Sequence, residues 1–190
     1  MEAFLVSTGI VALAEIGDKT QLLSLVLAAR YRRPLPIVTG IFLATLFNHA
    51  LASAVGGWLN ALLGPEVLRW ALGLSFIAMA AWVLVPDKLD SVQVRGAGLG
   101  VLGATLLAFF LAEMGDKTQI ATVALAARFD AFLPVVAGTT LGMMIANVPA
   151  VLAGDRMATR MPVRLVHGVA AALFAVLGVI ALAGPSGWLP

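Results

Sequence analysis

The segment Glu15-Ile16-Gly17-Asp18-Lys19-Thr20-Gln21 lies inside a long apolar run, and 98 residues later Glu113-Met114-Gly115-Asp116-Lys117-Thr118-Gln119 repeats it inside another. The same offset, without gaps, carries Ala28, Ala29 and Arg30 onto Ala126, Ala127 and Arg128, Pro36 onto Pro134 and Gly40 onto Gly138. A constant offset of this kind marks a duplicated unit, so the chain must fold as two copies of one part. Three ionisable side chains within five positions of an apolar run are expensive. One charge near a bilayer centre costs at least ~2.5–3.5 kcal/mol. Six such charges imply a use.

Each copy contains three apolar spans, read as 3–29, 35–63 and 67–85, then 98–127, 132–154 and 163–184. About 20 apolar residues suffice to cross a bilayer. The chain is 61% hydrophobic and 12% charged, against about 25% charged in a soluble domain. The expected fold is an all-α membrane protein with six transmembrane helices. It forms one transmembrane domain over 1–190, made of a first repeat 1–86, a cytoplasmic linker 87–96 and a second repeat 97–190. Residues 3–29 follow Met1-Glu2 with no basic region ahead of them, so they are read as a retained first helix and not a removable signal.

An odd number of spans per copy makes the two repeats enter the membrane in opposite directions. The loops after spans one, three and five hold Arg30, Arg32, Arg33, Lys88, Arg95, Arg156, Arg160 and Arg164, whereas the other side holds Arg69 and Arg128. That bias places the odd loops in the cytoplasm and both termini outside the cytoplasm, in a multi-pass plasma-membrane protein. Trp58, Trp70, Trp82 and Trp188 fall near span ends, as aromatic belts do. The net charge of +2 sits in these loops and does not indicate a nucleic-acid partner. No cysteine is present, which excludes disulfides and thiolate metal sites. Nothing in the sequence selects an oligomeric state.

Inverted repeats of this type put a transporter's substrate site near the midplane, at the repeat interface. Glu15 and Glu113 fall near the middle of their spans. In a continuous helix Glu15, Asp18 and Lys19 would share one face. Gly17 and Gly115 either admit a neighbouring helix or let the chain unwind and free backbone carbonyls. Glu15, Asp18, Gln21, Glu113, Asp116 and Gln119 supply hard oxygen ligands, which suit Mn²⁺, Ca²⁺ or Mg²⁺ better than copper or zinc. Lys19 and Lys117 are assigned to neutralising or positioning an acid. Thr20 and Thr118 either ligate or bond back to their own helix. His49 and Asn147, equivalent under the offset, are supporting candidates at mid-span beside Asn48, and Met143 and Met144 are read as core filling.

Four carboxylates and two ammoniums leave a charge of −2, which one divalent cation or two protons would cancel. Competition between the two is the minimal requirement for antiport. No catalytic residue and no cofactor are assigned, the metal and the proton being substrates. An intramembrane enzyme using the paired carboxylates would need a nucleophile or a substrate groove that no motif supplies. A non-transporting scaffold would have no need of the buried acids. No phosphate-binding loop of a primary pump occurs.

The doubled Glu-x-Gly-Asp-Lys-Thr motif resembles the signature of a family that includes the Golgi transmembrane protein 165 and small bacterial manganese exporters. The resemblance covers length, spans, duplication and both motifs. It implies a cation/proton exchanger for Mn²⁺ or Ca²⁺, with Glu15, Asp18, Glu113 and Asp116 as the cation- and proton-coupling residues. The preference for Mn²⁺ export over Ca²⁺/H⁺ antiport comes from this resemblance alone.

Overall fold

Proline and glycine punctuation divides the chain into helices. In a computed structural model describing residues 1–85, 98–153 and 163–184, eight helices occur among the described residues. They are α1 (Glu2–Glu15), α2 (Lys19–Tyr31), α3 (Pro34–Leu62), α4 (Pro65–Val83), α5 (Gly100–Glu113), α6 (Lys117–Phe129), α7 (Phe132–Ala153) and α8 (Val163–Ala183). The 87–96 linker, Lys88, Arg95, Arg156, Arg160 and Trp188 lie outside the described residues. Pro34 and Pro65 each open a helix, where a missing N–H costs nothing.

The protein is an all-α membrane protein. Helices α3, α4, α7 and α8 are each long and apolar enough to cross a bilayer. The predicted first and fourth spans are not continuous helices. Each is two short helices in series, α1–α2 and α5–α6, broken at the motif. Gly17 and Gly115 take φ of +85° and +74°, a left-handed geometry that an α-helix cannot contain. Both glycines therefore serve unwinding, and Gly17 also admits Val163, which a Cβ there would meet at 2.3 Å.

The offset of 98 also governs packing. Helix α7 lies along α1 and α2, while its counterpart α3 lies along α5 and α6. Gly138 seats against Phe4 O and Ser7, and Gly40 against Leu102 O and Thr105, which are the same positions in the other copy. A Cβ at Gly138 would come within 2.5 Å of Phe4 O, so the absence of a side chain sets how closely α1 and α7 approach. The third helices, α4 and α8, pack on each other, with the equivalent rings of Phe76 and Phe174 stacked at 6.2 Å. Both α2 and α6 end on a left-handed residue, Arg32 (φ 51°) and Asp130 (φ 45°), whose N–H groups bond back to Ala28 O and Ala126 O. The duplication thus extends to caps and contacts.

Candidate cation site

At each motif the chain leaves one helix and starts another within three residues. Glu15 is the last residue of α1, Ile16 is extended, and Asp18 caps α2 by accepting a hydrogen bond from Lys19 N at 3.0 Å. Gln21, three residues into α2, reaches back so that its Oε1 accepts from Gly17 N at 2.9 Å. The pattern is related to a capping box, but the cap accepts from the first helical N–H and the glutamine accepts from the N–H before the cap, so one orphaned N–H of the helix start and the Gly17 N–H are both satisfied. Asp116, Gln119 and Gly115 repeat it, with Lys117 N to Asp116 Oδ1 at 2.7 Å and Gly115 N to Gln119 Oε1 at 2.7 Å.

Two expectations change accordingly. Glu15, Asp18 and Lys19 do not share the face of one helix, since Glu15 ends α1 and Asp18 begins α2. The amides of Gln21 and Gln119, expected as open ligands, are engaged in capping. Gln21 Nε2 also donates to Ala146 O at 2.9 Å, tying the first break to α7.

The carboxylates converge across the repeat interface. One oxygen each of Glu15, Glu113 and Asp116 lie within 4.8 Å of one another, all buried. Asp18 stands beside this trio. Lys117 Nζ is 3.2 Å from Asp18 Oδ1, and Lys19 Nζ is 3.1 Å from Asp116 Oδ2. Each lysine therefore pairs with the aspartate of the other motif, an exchange that locks the two breaks together. Both lysines face the carboxylates, as the charge count requires.

The glutamates receive no such partner. Thr20 Oγ1 donates to Glu15 Oε2 and Thr118 Oγ1 donates to Glu113 Oε1, so each threonine bonds back onto its own motif's acid. The other oxygens, Glu15 Oε1 and Glu113 Oε2, are buried with no hydrogen-bond partner among the described residues, as is Asp18 Oδ2. Buried carboxylate oxygens without donors are rare in folded proteins. With both aspartates paired to lysines, Glu15 and Glu113 are the two acids of the motifs that no lysine pairs among the described residues.

Two helices supply the surrounding polar groups. Asn48 Nδ2 donates to Phe110 O at 3.2 Å, a carbonyl that also accepts the Met114 N–H at the end of α5. His49 Nε2 lies 3.7 Å from Glu113 Oε1. Asn147 is tied into packing, accepting from Ser24 Oγ at 2.7 Å and donating to Met143 O at 3.1 Å. Met143 is buried, in keeping with a core role.

The breaks differ in one respect. His167 Nε2 donates to Ile16 O at 2.6 Å, and a Cβ at Gly17 would stand 2.3 Å from Val163 Cγ1, so the start of α8 covers the first break. Met114 is 56% exposed and nothing lies within 4 Å of a Cβ at Gly115. Val163 and His167 were not singled out by sequence, because their approach depends on how α8 crosses α1. The one available signal is that their counterparts under the offset, Pro65 and Arg69, also begin a third helix.

A family profile described as divalent cation/proton antiporter GDT1 matches residues 3–91 and 101–187. A Vibrio cholerae protein named "Putative manganese exporter" is 53% identical over 181 residues, covering 93% of this chain and 88% of that protein. The "GDT1-like protein sll0615" of Synechocystis is 29% identical, covering 93% of this chain and 96% of that one. The Saccharomyces cerevisiae "Divalent cation/proton antiporter GDT1" is 24% identical, with 95% of this chain and 83% of the yeast protein covered. No solved structure matches the chain. The match along both halves, joined to the 53% identity, means that this chain belongs to the divalent cation/proton antiporter GDT1 family.

Proposed function

We propose that the protein exports Mn²⁺ across the plasma membrane in exchange for protons, through one site built from both motifs. The observation that carries this reading is the pairing pattern. Two Lys–Asp pairs cancel, leaving Glu15 and Glu113 buried, adjacent and uncompensated. One divalent cation or two protons restores neutrality, and low dielectric penalises any other loading. Glu15, Glu113 and Asp116 form the binding trio, and Asp18 holds Lys117 beside it. The name of the Vibrio relative supports manganese as the ion.

Six crossings follow when α1–α2 and α5–α6 each count as one. The halves are 14 and 13 residues long in both repeats, too short alone for a bilayer that takes about 20 residues. Three crossings per repeat make the repeats inverted, with 1–86 and 97–190 as the two units and both termini extracytoplasmic. Broken helices whose ends meet at a midplane site are a recurrent device of such transporters. Alternating exposure of that site then moves the ion.

Ca²⁺/H⁺ antiport is the second reading, favoured by the all-oxygen character of the carboxylate trio. Purified protein in proteoliposomes with an imposed pH gradient tests both. Mn²⁺ flux should follow the gradient and exceed Ca²⁺ flux under identical conditions. Because metal displaces protons, apparent Mn²⁺ affinity should rise with pH, by up to about a hundredfold per unit where both glutamates start protonated. Affinity independent of pH between about 5 and 8 would remove the exchange mechanism.

A further inference from the structure

His49 is fully buried on α3, and neither of its ring nitrogens has a hydrogen-bond partner among the described residues. An imidazole in that condition is unusual, since buried polar atoms are nearly always paired. Its Nε2 lies 3.7 Å from Glu113 Oε1, at the edge of the carboxylate trio and outside the set of oxygens that lie within 4.8 Å of one another. Ligands of a six-coordinate ion at about 2.1 Å are about 3 Å apart when adjacent and about 4.2 Å when opposite, so a shift of about 0.7 Å would bring Nε2 and Glu113 Oε1 to adjacent positions on one metal.

The other repeat supplies an internal control. Asn147 occupies the equivalent position, yet it is held by Ser24 Oγ, Met143 O and Met143 Sδ. At the positions matching Ser24 and Met143 stand Thr122 and Thr45. The Thr122 hydroxyl donates to Thr118 O instead, and the Thr45 hydroxyl is itself without a partner among the described residues. The groups that anchor Asn147 therefore have no working counterparts around His49. Duplication has left one side chain tied into packing and its counterpart released toward the acids.

We propose that His49 Nε2 is a ligand of the transported ion and the element that makes the site prefer a first-row transition metal to an alkaline-earth cation. This deepens the antiport reading and rests on it. Imidazole nitrogen is a ligand for first-row metals, whereas Ca²⁺ and Mg²⁺ take oxygen almost exclusively. The carboxylate trio supplies charge and accepts either class of ion. A single nitrogen at its edge breaks the tie. The asparagine at the equivalent position offers no such discrimination, so the two motifs contribute equal charge and unequal chemistry.

Mn²⁺ bound to the purified full-length protein is the probe, observed by electron spin-echo detection of nitrogen coupling and by competition with Ca²⁺. Wild type should show nitrogen coupling from one imidazole. H49N should lose it, and its preference for Mn²⁺ over Ca²⁺ should fall at least about tenfold, since even outer-sphere partners of bound metals change affinity by that much. His167 is the other histidine of the chain. H167N should retain the coupling, which assigns the signal to His49 even if H49N fails to fold. Bound Mn²⁺ without nitrogen coupling, or coupling that disappears in H167N and persists in H49N, overturns the assignment while leaving the antiport reading intact. Wild type that neither binds nor transports Mn²⁺ removes both.

Discussion

Glu113→Gln is expected to lower Mn²⁺ affinity by at least about a hundredfold and to abolish Mn²⁺-driven proton movement in proteoliposomes. The substitution preserves volume and leaves an oxygen for the Thr118 hydroxyl. What it removes is one of two uncompensated charges. The site would then hold −1, and a bound divalent ion would leave +1 buried. Unit charges 4 Å apart interact by about 4 kcal/mol at an effective dielectric near 20, and each ~1.4 kcal/mol is tenfold in affinity. A hundredfold loss therefore asks for less than one such interaction. Glu15→Gln should behave alike, because Glu15 holds the equivalent place and Thr20 matches Thr118. Glu66→Gln is the control, since that side chain is exposed and pairs with Arg69 at 3.6 Å, far along the chain from either motif. Mn²⁺ binding by titration separates loss of the ion from loss of movement. Unaltered binding in both glutamine variants would overturn the site.

The second large effect concerns stability. Lys117→Met removes the partner of Asp18, and both side chains are 1% exposed. Removing one member of a buried pair costs about 3–5 kcal/mol, because the remaining charge has neither water nor a counter-ion. The single variant should unfold in detergent well below wild type. Asp18→Asn in the same protein should recover much of the loss, since the pair is then absent as a whole. Lys19→Met should cost less. The Lys19 end of its pair is 24% exposed, so water already screens that pair in the wild type, although Asp116 itself is 3% exposed. The measurement is a double-mutant cycle on thermal midpoints, with the coupling between positions 117 and 18 as readout. Equal losses for the two lysine variants would contradict the inequality of burial.

Much of this architecture can be read from one regularity, the offset of 98. It pairs Gly40 with Gly138 and Glu15 with Glu113, and the structure repeats those pairings down to the residues each glycine touches. The charge balance was legible too, because a −2 excess depends on composition at the motif and not on geometry. The break at each motif was not decided by the spacing. Glu15, Asp18 and Lys19 fit a continuous helical face as well as they fit a break. The discriminating pattern was Asp18 with Gln21 three residues on, a helix-start signature. It competed with the more familiar expectation that a polar residue in a membrane run faces a ligand. The exchange of partners between Lys19–Asp116 and Lys117–Asp18 is a tertiary fact. Local sequence offers each lysine its own motif's aspartate one residue away, and only the meeting of two helix starts across the interface makes the foreign aspartate the nearer partner.

Gly17 and Gly115 are one residue written twice, with nearly the same left-handed backbone, yet they do not meet the same surroundings. Alanine at 115 should cost only the strain of that conformation, about 1–2 kcal/mol. Alanine at 17 adds a methyl group where Val163 already stands 2.3 Å away, and acts as a wedge beneath the first turn of α8. If the proposed alternating exposure holds, that one substitution would act as a ratchet on it. Bulk at 17 opposes the arrangement in which α8 covers the first break, and bulk at 115 would oppose its mirror, in which Pro65 and Arg69 of α4 cover the second. On that proposal the two copies of the part would carry two opposing tabs, and the difference in how each tolerates a methyl group would report which face is shut at rest.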